Sequence, residues 1–177
     1  MVGAFFGLVS GIVMFAFLML TSIMMGIAPE SLSLARGMAI THSYSNNNNI
    51  NLILGIGMHL LTSIIAGMIF GFLINSINKF QINTFRKGIS EGIIWAIIIF
   101  VILFIPTTIS LVQPNLLEII HKTNPTQNSL QDKQMVEKLL VPLYGMGFIA
   151  HIVFGATLGF LMSLFFLRIK NKNKLPS

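Results

Sequence analysis

The sequence predicts an all-α, polytopic membrane protein with four transmembrane helices, on the evidence of its composition, its apolar runs and an internal repeat. Of its 177 residues, 54% are hydrophobic and only 9% are charged, and the mean hydropathy is +0.84. The chain has too few polar side chains to form the surface of a water-soluble protein. The sequence therefore predicts that a lipid bilayer surrounds it. The net charge of +6 lies mostly in two short segments beside apolar runs, which favours a topology signal over nucleic-acid binding.

Four apolar runs reach the length of about 20 helical residues that a bilayer core requires. Lipid offers the backbone no hydrogen-bond partners, so each run is predicted to be helical. The first run has a counterpart later in the chain and is too long for a signal-peptide core, which indicates a retained span. Pro106 is expected to bend the third helix near its outer end. The runs are Val2 to Ile27, Ile50 to Asn75, Gly88 to Val112 and Leu139 to Leu167.

The chain also repeats itself. The segment Gly7-Leu-Val-Ser-Gly11 aligns with Gly88-Ile-Ser-Glu-Gly92, and Gly57-Met58 followed by Gly67-x-x-x-Gly71 aligns with Gly145-Met146 followed by Gly155-x-x-x-Gly159. This pattern predicts a tandem duplication of one helix-loop-helix unit, related by a pseudo-twofold axis along the membrane normal.

The duplication divides the chain into four parts. They are a first two-helix repeat at 1–75 with an outer loop at about 28–49, a basic connection at 76–87, a second two-helix repeat at 88–168 with an outer loop at about 113–138, and a basic tail at 169–177. In each outer loop a proline, Pro29 or Pro114, precedes a short apolar-periodic stretch that predicts a brief interfacial helix.

Basic residues set the expected orientation. Positive charge is concentrated in the connection and the tail, whereas the two outer loops mix both signs. Because cytoplasmic loops carry an excess of Lys and Arg, both termini are predicted to face the cytoplasm of a cell-membrane protein. The basic residues of the connection and tail are Lys79, Arg86, Lys87, Arg168, Lys170, Lys172 and Lys174.

Glycines recur at four-residue spacing in all four spans. This small-xxx-small pattern lets helix backbones approach closely and therefore predicts the helix-packing surfaces. The glycines are Gly3, Gly7, Gly11, Gly67, Gly71, Gly88, Gly92, Gly155 and Gly159.

A candidate intramembrane polar site comprises His59, His151, Ser63 and Glu91. Titratable groups inside a membrane are costly and are functional candidates for that reason. A neutral imidazole binds metal or carries a proton, yet a buried histidine also donates to a neighbouring carbonyl or hydroxyl in ordinary helix packing. Glu91, four residues after Lys87, either pairs locally or handles protons at the inner end of its helix.

Metal and enzyme chemistry find little support in the sequence. Eleven methionines suggest copper, because thioethers bind cuprous ions, but they are scattered through apolar runs where methionine also serves as a core filler. No cysteine is present, and no phosphate loop, paired carboxylates or nucleophile with a base can be identified. We therefore expect a protein that is not an enzyme, with copper or another metal as the open alternative.

Three motifs resemble a known group of proteins. They are Gly57-Met-His59 leading to Gly67-x-x-x-Gly71, Gly88-x-x-x-Gly92-Ile-Ile-Trp95 leading to Pro106, and His151-x-x-x-Gly155-x-x-x-Gly159. Together they resemble the small four-helix membrane proteins of bacteria and archaea that include the YagU-like group. The resemblance implies an integral membrane protein of the four-helix type and implies no activity.

Two classes of function remain open. One is a non-enzymatic accessory or assembly component that contacts protein partners in a membrane complex through its loops and helices. The other is a small transporter or channel-like protein with a site between the repeats. Because 177 residues with few ionisable groups offer little chemistry for substrate recognition, the first is favoured.

Overall fold

The computed structural model describes residues 1–24, 31–41, 48–77, 80–123 and 129–172, and these are almost entirely helical. Four helical stretches are long and apolar enough to cross a membrane, namely Val2–Met24, Asn49–Ser76, Phe85–Glu118 and Leu130–Ile169. The predicted all-α class and four helical stretches with the length and apolar composition of membrane spans are confirmed. The low-complexity stretch from 43 to 49 lies outside the described residues as far as residue 47.

The helices follow one another with few breaks. They are α1 (Val2–Met24), α2 (Ser31–Thr41), α3 (Asn48–Ser76), α4 (Phe85–Ile99), the π-helical segment π1 (Phe100–Phe104), α5 (Ile105–Thr107), the π-helical segment π2 (Thr108–Val112), α6 (Gln113–Thr123) and α7 (Ser129–Lys172).

Short helices form where the sequence predicts them, after Pro29 and around Pro114. The first is the separate helix α2, but the second, α6, continues the third span without a break. The expected outer loop at 113–138 is therefore helical as far as Thr123 and helical again from Ser129. The reason is that an α-helix needs only local hydrogen bonds, so the span continues past the apolar run.

The third span has an unusual buried stripe, which explains its two π segments. An α-helix has 3.6 residues per turn, so a stripe of every fourth residue drifts by about 40° at each step. The wider π turns, whose hydrogen bonds join residues i and i+5, offset this drift and keep one face toward the core. The buried positions are Gly88, Gly92, Ala96, Phe100, Phe104, Thr108, Val112, Leu116 and Ile120.

Pro106 lies in the short α-helical segment between the two π segments. Proline has no N–H to donate and its ring crowds the preceding turn, so nearby carbonyls lose their usual helical partners. Two hydroxyl groups of this segment bond to other backbone carbonyls. The Oγ1 of Thr107 donates to the carbonyl of Leu103 at 2.6 Å, and the Oγ of Ser110 donates to the carbonyl of Pro106 at 2.7 Å. Both hydroxyl groups are thereby satisfied within the helix, where lipid would offer no hydrogen-bond partner.

The residues form two compact units, and each of the four spans contributes to both. Unit 1 comprises 1–16, 60–99 and 149–177, and unit 2 comprises 17–59 and 100–148. The boundary between the two compact units therefore falls within the helices. It does not coincide with the boundary between the two predicted sequence repeats.

Candidate functional site

In unit 1, α1 and α3 meet through glycine. A Cβ added at Gly67 would lie 2.5 Å from the Cα and 2.8 Å from the N of Gly7, and it would also collide with the carbonyl of Gly3. One placed at Gly3 would lie 3.3 Å from the Cα of Gly71. These obstacles are backbone atoms, which cannot move aside as the end of a side chain can. We name this contact the first seam.

A second seam joins α4 and α7, also within unit 1. A Cβ at Gly92 would lie 3.0 Å from the Cα of Gly159, and one at Gly155 would lie 2.6 Å from the Cβ of Ala96. A Cβ at Gly88 would lie 2.9 Å from the carbonyl oxygen of Gly159. The two seams begin at different points of the predicted repeat. On α1 the first glycine in contact is Gly3, whereas on α4 it is Gly88, which aligns with Gly7.

Trp95 ties α4 to α3 in unit 1. Its indole N–H donates to the carbonyl of Ala66 at 3.1 Å, and its ring stacks on Phe70 with centroids 6.4 Å apart. A single side chain thus contributes both a polar and an aromatic contact between helices.

In unit 2, the short helix α2 packs against α3 and contributes to the core. A Cβ at Gly37 would collide with the carbonyl of Asn51, and one at Gly55 would collide with the carbonyl of Ser33. The hydroxyl of Thr41 donates to the Oδ1 of Asn51 at 2.8 Å. On its other side α2 contributes to a buried apolar cluster made of Ala35, Val112, Leu116 and Leu143.

Arg36 lies on α2, outside the four candidate spans, and is partly buried. Desolvation by burial lowers the pKa of its guanidinium.

Two glycines of unit 2 differ from all the others that the structure describes. A Cβ added at Gly57 or at Gly145 would have no other heavy atom within 4 Å, whereas each remaining glycine of the described segments has a neighbour within that distance. These two positions align with each other in the predicted repeat. They lie on α3 and α7, each ten residues before a glycine of a seam, Gly67 or Gly155.

The predicted polar residues are placed as follows. His59 is 9% exposed and belongs to unit 2, whereas His151 and Ser63 are each 6% exposed and belong to unit 1. None of these three side chains is without an interaction partner. Glu91 is partly buried in α4 of unit 1. Convergence of the two histidines on one site stays a prediction, as does local pairing of Glu91.

A further polar pair, which the sequence reasoning missed, lies in unit 2. The Nδ1 of His121 on α6 is 2.8 Å from the Oδ2 of Asp132 on α7, and the Asp132 side chain is only 2% exposed. Both residues line a cavity of about 300 Å³. Among the residues the structure describes, no group of three His, Cys, Asp or Glu could hold a metal ion. No periodic pattern in the sequence points to this pair, because the two residues flank the connection at 124–128.

Comparison with known proteins finds no matching family model, no matching curated protein and no matching solved structure.

Proposed function

We propose that the protein is a non-enzymatic integral membrane protein that acts as an accessory or assembly component of a membrane complex. The observation that carries this proposal is the pair of open glycines, Gly57 and Gly145. Each lies in a candidate span, on an exposed helix face with empty space where a side chain would be.

Glycine within a helix is unfavourable by about 1 kcal/mol relative to alanine. At the seams, that cost is offset by close backbone packing, but nothing in the described part of the chain offsets it at Gly57 or Gly145. Small residues on a membrane helix allow another helix to approach closely. A partner helix packed at each position would make these glycines favourable.

The residues around the two open glycines strengthen this interpretation. One turn before and one turn after Gly57 lie Ile53 and Leu61, which are 67% and 51% exposed. Around Gly145 the corresponding residues are Val141 and Ile149, which are 77% and 53% exposed. Each glycine is therefore a notch between two large aliphatic side chains, and both repeats carry the same arrangement. We call these two surfaces the notches.

The repeated notches and the two glycine seams also support the proposed tandem duplication, and with it the proposed kinship with the four-helix YagU-like group. A duplicated unit carries its contact surfaces with it, so a partner of matching symmetry or two copies of one partner would fit.

The test of this proposal uses the protein purified in mild detergent with its associated chains. We expect the Gly57→Leu and Gly145→Leu double variant to fold and melt like the wild type, because the space is open, but to lose the chains that co-purify with the wild type. The control is Phe72→Leu, a change at another exposed position of α3 that is 68% exposed. Retention of the same partners by the double variant would contradict the docking role of the notches.

A second candidate, a small transporter or channel-like protein, is favoured by the burial of His59, Ser63 and His151 within the spans. Metal analysis of the same preparation separates the two candidates. Stoichiometric copper or another metal that is lost in His59→Gln and His151→Gln would favour the transporter.

For localisation, we propose a cell-membrane protein with both termini in the cytoplasm, supported by the basic connection and tail. Single cysteines at Asn47 and Thr126 should react with an impermeant thiol reagent applied to intact cells, and one at Lys172 should not. The chain has no native cysteine, so labelling reports only the introduced site. Labelling at position 172 alone would reverse the proposed orientation.

A further inference from the structure

The cavity of unit 2 is formed by α6 and the first turns of α7. Its volume is about 300 Å³, and it is lined by Pro114, Leu117, Glu118, His121, Asp132 and Lys133. This volume is at the lower end of those that hold small molecules in proteins. The lining combines an apolar side with charged groups, so the cavity suits a small ligand that has both an aliphatic part and a polar head.

Asp132 is the buried element of this lining, with a relative exposure of 1%. Its two carboxylate oxygens have different surroundings. Oδ2 lies 2.8 Å from the Nδ1 of His121, whereas Oδ1 is buried without any hydrogen-bond partner. A buried polar atom with no partner is costly, and the cost is larger for a charged group. The missing partner of Oδ1 is a hydrogen-bond donor.

We infer that the cavity binds a primary ammonium group, either of a free small amine or of a lipid head group, with its N–H donating to the Oδ1 of Asp132. An ammonium supplies the hydrogen-bond donor that Oδ1 lacks, and a charged donor bonds a carboxylate more strongly than a neutral donor does. The lining includes two carboxylates, Glu118 and Asp132, and two groups that can carry positive charge, His121 and Lys133, so the preference for a cation rests on the unpartnered Oδ1 of Asp132.

A metal ion fits these residues less well. Three converging ligands are the minimum of a typical protein metal site, and the described residues contain no such group. The Nδ1 of His121 is already occupied by Asp132. Pro114 and Leu117 offer contact to methylene groups, which a hydrated metal ion does not use and an alkyl ammonium does.

Thermal unfolding of the full-length protein in a non-ionic detergent tests this inference, because a ligand that binds only the folded state raises the melting temperature. The probe is ethanolamine, and the matched control is choline, which carries the same charge on a quaternary nitrogen that has no N–H. We expect a dose-dependent rise with ethanolamine and at least a tenfold weaker response with choline.

Two variants assign the response to the cavity. Asp132→Asn should weaken the ethanolamine response at least tenfold. Glu137→Gln removes an exposed acid of the same helix that does not line the cavity, and it should leave the response unchanged. If Asp132→Asn fails to fold, the comparison of ethanolamine with choline on the wild type still decides the matter. An equal response to the two amines, or a response that survives Asp132→Asn, would overturn the inference.

The source of the ammonium is separated by reconstitution into nanodiscs. A higher melting temperature in phosphatidylethanolamine than in phosphatidylcholine, abolished by Asp132→Asn, would assign the site to a lipid head group. A response to free ethanolamine in both lipids would assign it to a soluble amine.

Discussion

The long spans are packed by different means in the two units, although in unit 2 the short helix α2 also meets α3 backbone to backbone at Gly37 and Gly55. In unit 1, helices meet backbone to backbone at Gly67 and Gly155, where even a methyl group would collide with a neighbouring helix. In unit 2, the inserted helix α2 and a series of aromatic rings fill the interior, with Phe104 lying 5.1 Å from Phe100 and 6.4 Å from Tyr144 between ring centroids. Close approach of helices excludes side chains, whereas wider spacing requires them.

The same comparison separates two kinds of glycine within a single helix. Gly57 and Gly67 both lie on α3, yet one has open space and the other has none. Gly145 and Gly155 repeat this contrast on α7. Sequence spacing alone does not distinguish the two kinds, because the difference lies in what faces each residue.

The largest effect is expected in unit 2. Phe104 is 6% exposed, and its ring packs against Gly147 as well as Phe100 and Tyr144. Phe104→Ala should lower the free energy of unfolding by about 3–5 kcal/mol, because it removes a buried ring and leaves a cavity. The measurement is denaturant or thermal unfolding in detergent.

Its control is Phe72→Ala, since Phe72 is 68% exposed and faces away from the core. A loss of stability as large in Phe72→Ala as in Phe104→Ala would show that aromatic packing does not hold unit 2 together.

Much of the fold was predictable, because it depends on hydropathy and length. The four helical spans follow from the insolubility of bare backbone polar groups in lipid. The short helices after Pro29 and near Pro114 follow from a proline beside a short apolar-periodic stretch. The two π segments were not predicted, although the sequence carries their signal. Apolar or small residues recur at every fourth position from Gly88 to Ile120, a period that an unbroken α-helix cannot keep on one face.

The candidate site was less accessible from the sequence. His59, Ser63 and His151 were selected because polar groups in a membrane span are rare, and this rule takes no account of partners. The pair of His121 and Asp132 escaped it, because neither lies in a span as predicted and their proximity depends on how α6 approaches α7. The notches escaped for the same reason, since an exposed glycine and a packed glycine are identical in sequence.

The measurement that tests the account most directly is the melting temperature of four alanine variants in one detergent. Gly67→Ala and Gly155→Ala should lower the free energy of unfolding by about 1–3 kcal/mol, because the new Cβ meets a neighbouring helix at the seam. Gly57→Ala and Gly145→Ala should leave it unchanged or raise it by up to about 1 kcal/mol, because alanine favours the helix and the space is open. Equal melting temperatures for the two pairs would contradict the distinction between seam and notch.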